Sequence, residues 1–208
     1  MEVGVLGPLR VRVDEGELAI GSRTQRVVLA TLLARAGEVV STAGLIDAVW
    51  GDDAPPSAVN TLRSQVSRLR RVVGERLAAG PDGYALRLVD GTDRVDAWSF
   101  EAAVRRMRTD PGPTSRALLA AELASWRGDA FGELADVVTL RAEARRLQLL
   151  RLDATELLAR ADLRAGRWTD AIAAAESIVA VDPVFEPAWK IVVRALAGAG
   201  RTADAMRA

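Results

Sequence analysis

The sequence contains neither cysteine nor histidine. Their absence removes disulfides, thiolate nucleophiles, Ser-His-Asp triads and nearly all structural zinc sites in one step. Lysine occurs once, as Lys190, so a GxxxxGK[ST] phosphate loop cannot be built and a lysine Schiff base has no candidate elsewhere. No run of eighteen uncharged apolar residues is found, and the first thirty residues alternate apolar with charged ones instead of forming the apolar block of a signal peptide. The expected location is therefore the cytoplasm. Charge of one sign is lacking too, since 28 basic residues balance 28 acidic ones, which argues against a polycation that coats nucleic acid indiscriminately. Carboxylate-pair hydrolysis stays formally open with so many Asp and Glu, but nothing in the sequence marks which two would meet in a cleft. The expectation is a protein that is not an enzyme and holds no cofactor or metal.

What is present is an apolar half of the chain, enough for a substantial core in one or two domains at 208 residues. The first twenty residues read as β structure. Val3 to Leu6 form one apolar stretch before Gly7-Pro8, and Leu9, Val11 and Val13 alternate with Arg10, Arg12 and Asp14. Ser22 and Gln25 are spaced as a capping box, predicting a first helix from about Arg23 to Ala36 that stops at Gly37. Ser41 can cap a second helix with Leu45, Ile46, Val49 and Trp50 on its apolar face, ended by Gly51.

After Gly51-Asp52-Asp53-Ala54-Pro55-Pro56, Ser57 can cap a third helix that reaches Val73 and stops at Gly74. Val59, Leu62, Val66, Leu69 and Val73 make its buried stripe. Asn60, Ser64, Ser67, Arg68 and Arg71 fall on the opposite face, with Arg63 and Arg70 on the flank. Between residues 57 and 76 five arginines stand against Glu75 alone, a concentrated positive charge on one helix and its exit. Tyr84, Leu86 and Leu88 then alternate with Ala85, Arg87 and Val89 behind Gly80-Pro81-Asp82-Gly83, which predicts a β-hairpin.

Sheet, three helices and hairpin in that order make a winged helix-turn-helix of the OmpR type. The stretch from LGPLRVRVDEG through GLIDAVWGDD and SAVNTLRSQVSRLRRVVG to GYALRL resembles the N-terminal domain of the Streptomyces antibiotic regulatory protein family along its whole length. The resemblance implies DNA binding by the third helix. Ser67, Arg68 and Arg71 would lie nearest bases, and Asn60, Thr61, Arg63, Ser64 and Arg70 nearest bases or phosphates. Trp50 would pack its ring in the core and offer its indole N–H to a phosphate, as the matching tryptophan does in OmpR-type domains. The hairpin tip carries Asp82 and no arginine, so contacts from the wing would fall to Arg76 or Arg87 on its flanks. In OmpR-type activators the loop between the second and third helices touches RNA polymerase, which points to Asp52 and Asp53.

From Asp96 onward the chain reads as helix: Ala97 to about Arg108, Thr114 to Trp126, and a long pattern from Val138 to Ala165 without internal Gly or Pro. AGRWTDA at Ala165–Ala171 returns as AGRTADA at Ala199–Ala205, displaced by 34 residues, the tetratricopeptide period. Trp98, Trp126, Trp168 and Trp189 are read as core and inter-helix packing. This half resembles the bacterial transcriptional activator domain that follows the winged helix in the same family.

The expected division is residues 1–95 for the winged-helix DNA-binding domain and 96–208 for the helical activation domain, the latter cut short at its C-terminus. Family resemblance implies an activator bound as a side-by-side dimer to directly repeated promoter elements, recruiting RNA polymerase at an operon for an antibiotic or other secondary metabolite. The alternative is a tetratricopeptide adaptor for protein partners in which the winged helix is structural.

Overall fold

The structure is a computed structural model that describes residues 1–13, 16–89 and 91–208; Asp14, the last residue of the first β alternation, lies outside the described residues. The chain forms two compact units, Met1–Trp98 with Trp126–Leu147, and Ser99–Ser125 with Gln148–Ala208.

The first unit opens with strands β1 (Glu2–Gly4), β2 (Arg10–Val13) and β3 (Gly16–Leu18), joined later by β7 (Arg94–Val95) in the order β3-β2-β1-β7. Val3 pairs with Val11 across the antiparallel β1-β2 ladder and with Val95 across the parallel β1-β7 ladder, and all three are buried. One sheet face is therefore apolar because period-two alternation places every second residue on it.

Helix α1 (Arg23–Ala34) runs through the centre of the unit, with Val27, Val28, Leu29, Ala30, Leu32 and Leu33 all buried. A helix apolar on all sides must be covered on all sides. Ser22 caps it as expected, its hydroxyl accepting from the Gln25 backbone N–H at 3.3 Å. The Gln25 side chain does different work from a capping box: its amide donates to Gln65 Oε1 at 2.9 Å.

Strand β4 (Val40–Ser41) precedes α2 (Thr42–Trp50), whose N-cap Ser41 accepts from the Gly44 N–H at 3.0 Å through its hydroxyl and whose C-cap Gly51 has φ 55°. A 3-10 turn (Gly51–Asp53) leads to α3 (Ala58–Val73), followed by β5 (Leu77–Gly80) and β6 (Gly83–Leu86). Two features of α3 differ from the sequence expectation. Ser57 makes no side-chain cap bond, because its backbone sits at φ −86°, ψ 3° instead of the extended region that aims a cap side chain at the first turn. Val59 is exposed, and Ala58 takes its place in the buried stripe beside Leu62, Val66, Leu69 and Val73. At about 100° per residue Ala58 and Val59 lie equally far, about 50°, on either side of the midline of the other four, so helical period alone does not choose between them.

The hairpin forms where expected, with Gly80 opposite Gly83 around Pro81-Asp82, but β6 ends at Leu86 and Leu88 lies beyond it. β6 also pairs with β4, giving the order β4-β6-β5. Gly83 is required there: at φ 153° a Cβ would come within 2.1 Å of the Val40 carbonyl oxygen.

The returning segment Trp126–Leu147 is laced to the N-terminal strand. Phe131 N–H donates to Val5 O at 2.7 Å, Arg127 N–H to Leu6 O at 2.8 Å, and the buried Phe131 sits at φ 63°. Asp96 fixes the same corner, accepting from the backbone N–H groups of Val5 (2.8 Å) and Leu6 (3.2 Å) and from Arg127 Nη2 (3.2 Å).

The second unit takes its helices from α4 (Asp96–Thr109), α5 (Pro113–Ala124), α6 (Val138–Arg164), α7 (Trp168–Val181), α8 (Glu186–Gly198) and α9 (Thr202–Ala205), of which α4 and α6 begin in the first unit. The internal repeat is visible bond by bond. Gly166 (φ 70°) and Gly200 (φ 77°) each end a helix in the left-handed region. Arg167 N–H bonds to Asp162 O and Gly166 N–H to Leu163 O, while 34 residues later Arg201 N–H bonds to Leu196 O and Gly200 N–H to Ala197 O. Both are Schellman ends. Small residues Ala171, Ala175, Ala188 and Ala195 let α7 and α8 approach, with Ile172, Ile178, Ile191, Val192 and Leu196 filling the core between them. Trp168 lies against Gly198, where a Cβ would be only 3.0 Å from the indole.

Asp162 is buried and receives Arg116 through two bonds (2.9 and 2.8 Å) and Arg167 Nε at 2.5 Å. Burial pushes its carboxyl up, but the bonds from Arg116 and Arg167 outweigh that and hold it below the usual carboxylate range. Of the tryptophans, Trp126 is buried, and Trp168 and Trp189 pack partly against the helical core. Trp98 departs from the expected packing role and stands 42% exposed, since Ala97 and Phe100 take the buried face at the start of α4.

Candidate nucleic-acid interface

Helix α3 is held from behind by its apolar stripe and by the Gln25–Gln65 bond to α1, so its outer face is presented on a rigid backing. On that outer face Asn60, Arg63, Ser64, Ser67, Arg68 and Arg71 are exposed, and Thr61 is half-buried at the edge. Arg63, Arg68 and Arg71 make no ion pair among the described residues. Three free guanidinium groups interleaved with hydroxyl and amide side chains on one helix face suit an anionic, hydrogen-bonding surface.

The flanking residues are placed differently. Arg70 is exposed, but its Nε donates to the Leu77 carbonyl at 3.1 Å and ties the end of α3 to β5. Arg76 is half-buried, with Nε 2.7 Å from Asp93 Oδ2. Asp93 also accepts from the Met1 ammonium and from the Val89 N–H, each at 2.9 Å. The Arg76 hydrogen bond, assisted by these donors against the cost of burial, holds the Asp93 carboxyl far below its ordinary range, and Asp93 raises Arg76 in return. Arg87 is exposed just past β6, and its backbone N–H donates to Arg76 O at 2.7 Å. Trp50 is half-buried at the end of α2. Asp52 and Asp53 stand exposed on the 3-10 turn between α2 and α3, and Asp82 is exposed at the hairpin tip.

Periodicity thus locates the exposed face of α3 but misses the fasteners that aim it. Gln65, Asp93 and Asp96 act through partners that no local pattern marks. No group of three or more metal-ligating side chains is gathered among the described residues.

Comparison with known proteins agrees with this architecture. The family described as "Transcriptional regulatory protein, C terminal" matches residues 16–84, and the bacterial transcriptional activator domain matches residues 95–208, more than half of the chain. The chain belongs to the Streptomyces antibiotic regulatory protein family of transcriptional regulators. The relatives that define this family are transcriptional regulators. Within the family it is 34% identical to the regulatory protein AfsR of Streptomyces griseus over 97% of this chain and 21% of AfsR. It is 29% identical to the regulatory protein DnrI of Streptomyces peucetius, over 100% of this chain and 82% of DnrI. The structure of Mycobacterium tuberculosis EmbR in complex with a low-affinity phosphopeptide superposes with a TM-score of 0.86 at 30% identity, covering 98% of this chain and 56% of EmbR. The chain thus spans about a fifth of AfsR and about half of EmbR. The chain has a winged-helix region followed by a helical domain, as its similarity to the EmbR structure bears out. Among the described residues no helix is long and apolar enough to cross a membrane.

Proposed function

We propose that the chain is a sequence-specific activator that lays α3 in the major groove of promoter DNA. The observation that carries this reading is the set of arginines unpaired among the described residues, Arg63, Arg68 and Arg71, on the exposed face of a helix whose other face is locked into the core. Arginine can pair bidentately with guanine O6 and N7, and the neighbouring Asn60, Ser64 and Ser67 are short side chains that reach phosphates or base edges. Thr61 and Arg70 lie at the margins of that contact. Trp50 directs its indole N–H to a phosphate, and Arg87 supplies the wing's charge beside an acidic tip. Arg76 serves as the fastener for the wing through Asp93 and not as a direct contact.

One module of this size buries roughly 600 to 1,000 Å² on DNA and binds with modest affinity, so two molecules side by side on directly repeated elements are needed for occupancy. Asp52 and Asp53, exposed between α2 and α3, are proposed to contact RNA polymerase. The regulated operon is proposed to make an antibiotic or other secondary metabolite, as the family's name implies. Gel shifts on DNA from upstream of the chain's own gene test this, comparing wild type with the Arg68→Ala, Arg71→Ala double variant. Binding by wild type that the double variant loses supports the reading; absence of wild-type binding, with the fold intact, would return the adaptor alternative.

A further inference from the structure

The second unit carries a cavity of about 390 Å³ between the end of α6 and the start of α8, and its lining is unusual for a chain of zero net charge. Four cations surround it, Arg160 and Arg164 on α6 and Lys190 and Arg194 on α8, over an apolar floor of Leu163, Pro187 and Ile191. On each helix the cations are four residues apart and so share a face. Two of them are already neutralised from their own helix. Arg160 pairs with Glu156 at 2.5 Å, and Lys190 pairs with Glu186 at 2.7 Å and holds that carboxyl below its usual range. Arg164 and Arg194 have no carboxylate partner among the described residues. The same unit satisfies the buried Asp162 with two arginines, so carboxylate pairing is not scarce nearby.

Like charges gathered around one concavity repel unless an anion joins them, and a floor of aliphatic carbon favours an occupant with an apolar group between its charges. We propose that this groove binds an acidic peptide segment of a partner protein, seating one apolar side chain on Leu163, Pro187 and Ile191 and placing flanking carboxylates on Arg164 and Arg194. The site is separate from α3, so it stands whether or not the chain binds DNA. Charge complementarity selects the acid, and the apolar floor selects a peptide over a bare polyanion such as nucleic acid. The two paired cations, Arg160 and Lys190, set the rim and keep the free guanidinium groups as the points of contact.

Fluorescence anisotropy of the whole chain tests this with a short fluorescein-labelled peptide of Asp and Glu around a central Leu-Phe pair. Wild type is expected to bind it, and the Arg164→Glu, Arg194→Glu variant to bind at least about tenfold more weakly, as loss of charge-assisted hydrogen bonds requires. Arg164→Gln with Arg194→Gln gives the same direction should charge reversal disturb folding, which circular dichroism reports. Replacing the probe's Leu-Phe by Ser-Ser should also weaken binding. The control Arg68→Glu, Arg71→Glu on α3 should leave the peptide affinity unchanged. Undiminished binding by the α6–α8 variants would overturn the proposal. So would equal binding of the Ser-Ser probe, or loss of binding in the α3 control, which would mean that the peptide merely mimics a nucleic acid.

Discussion

Arg76 Nε lies 2.7 Å from Asp93 Oδ2, and the Asp93 side chain is fully buried. This pair links the exit of α3 to the loop before β7, and it turns an arginine that looks available for phosphate contact into a fastener for the wing. Removing one partner of a buried pair leaves the other uncompensated. Asp93→Ala is expected to lower stability by roughly 3 kcal/mol, measured by urea denaturation at neutral pH. Arg76→Gln should likewise weaken the fold while leaving the salt dependence of DNA binding nearly unchanged.

Acid should destabilise the protein through two buried carboxylates. Asp93 and Asp162 are both held below their ordinary range in the folded chain, the first chiefly by Arg76, the second by Arg116 and Arg167 against the opposing effect of burial. A depressed folded-state pKa contributes stability that is complete above the unfolded value, about 3.9 for Asp. That contribution is lost as pH falls below the unfolded value toward the folded one. The urea midpoint is therefore expected to begin falling near about pH 5 and to keep falling through about pH 3 and below. Asp162→Asn should begin with a lower midpoint and show a shallower fall.

Gly83→Ala should unseat the wing. A Cβ at that position meets the Val40 carbonyl oxygen, and the backbone is held at φ 153°. The expected cost is at least about 2 kcal/mol, from strain together with loss of the β4-β6 pairing. Thermal unfolding measures the cost. Gly80, with open space around its own Cβ position, is the control that should tolerate alanine.

Asp52→Asn with Asp53→Asn separates binding from activation. The two side chains are exposed on the 3-10 turn that precedes α3, so DNA affinity should hold or rise slightly as negative charge is removed. Transcription from a cognate promoter with purified polymerase should fall several-fold. Unchanged transcription would remove these residues from the polymerase contact.

Much of this was legible in local pattern. Ser22 and Ser41 cap the helices they precede, Gly51 and Gly74 stand at positive φ directly after α2 and α3, and the repeat around Gly166 and Gly200 reappears as matched helix-end bonds, whereas α1 ends at Ala34 on Arg35, short of the expected stop at Gly37. These signals act within a few residues. Ser57 failed as a cap because the turn closed by the Ala58 N–H on Pro55 O sets its backbone, a choice made by the two prolines before it. The binding of Arg76 to Asp93, and of Trp126–Leu147 to the first unit through Phe131 and Val5, joins residues far apart in sequence, where no periodicity reports contact. The candidate DNA face was legible because helical period alone separates the Leu62, Val66 and Leu69 side from the Ser64, Arg68 and Arg71 side. The basic groove of the helical unit was not, because it needs α6 and α8 side by side.

The central claim is that free arginines on α3 bind DNA phosphates and bases. The most direct measurement is the slope of log affinity against log salt for wild type and for the Arg68→Ala, Arg71→Ala variant on one promoter fragment. Each phosphate-contacting arginine contributes about 0.9 to the slope, so the variant's slope should be shallower by up to about 2 if both reach phosphate and by less if either reads a base. Its affinity at fixed salt should fall by more than tenfold. A variant with wild-type slope and affinity would contradict the account.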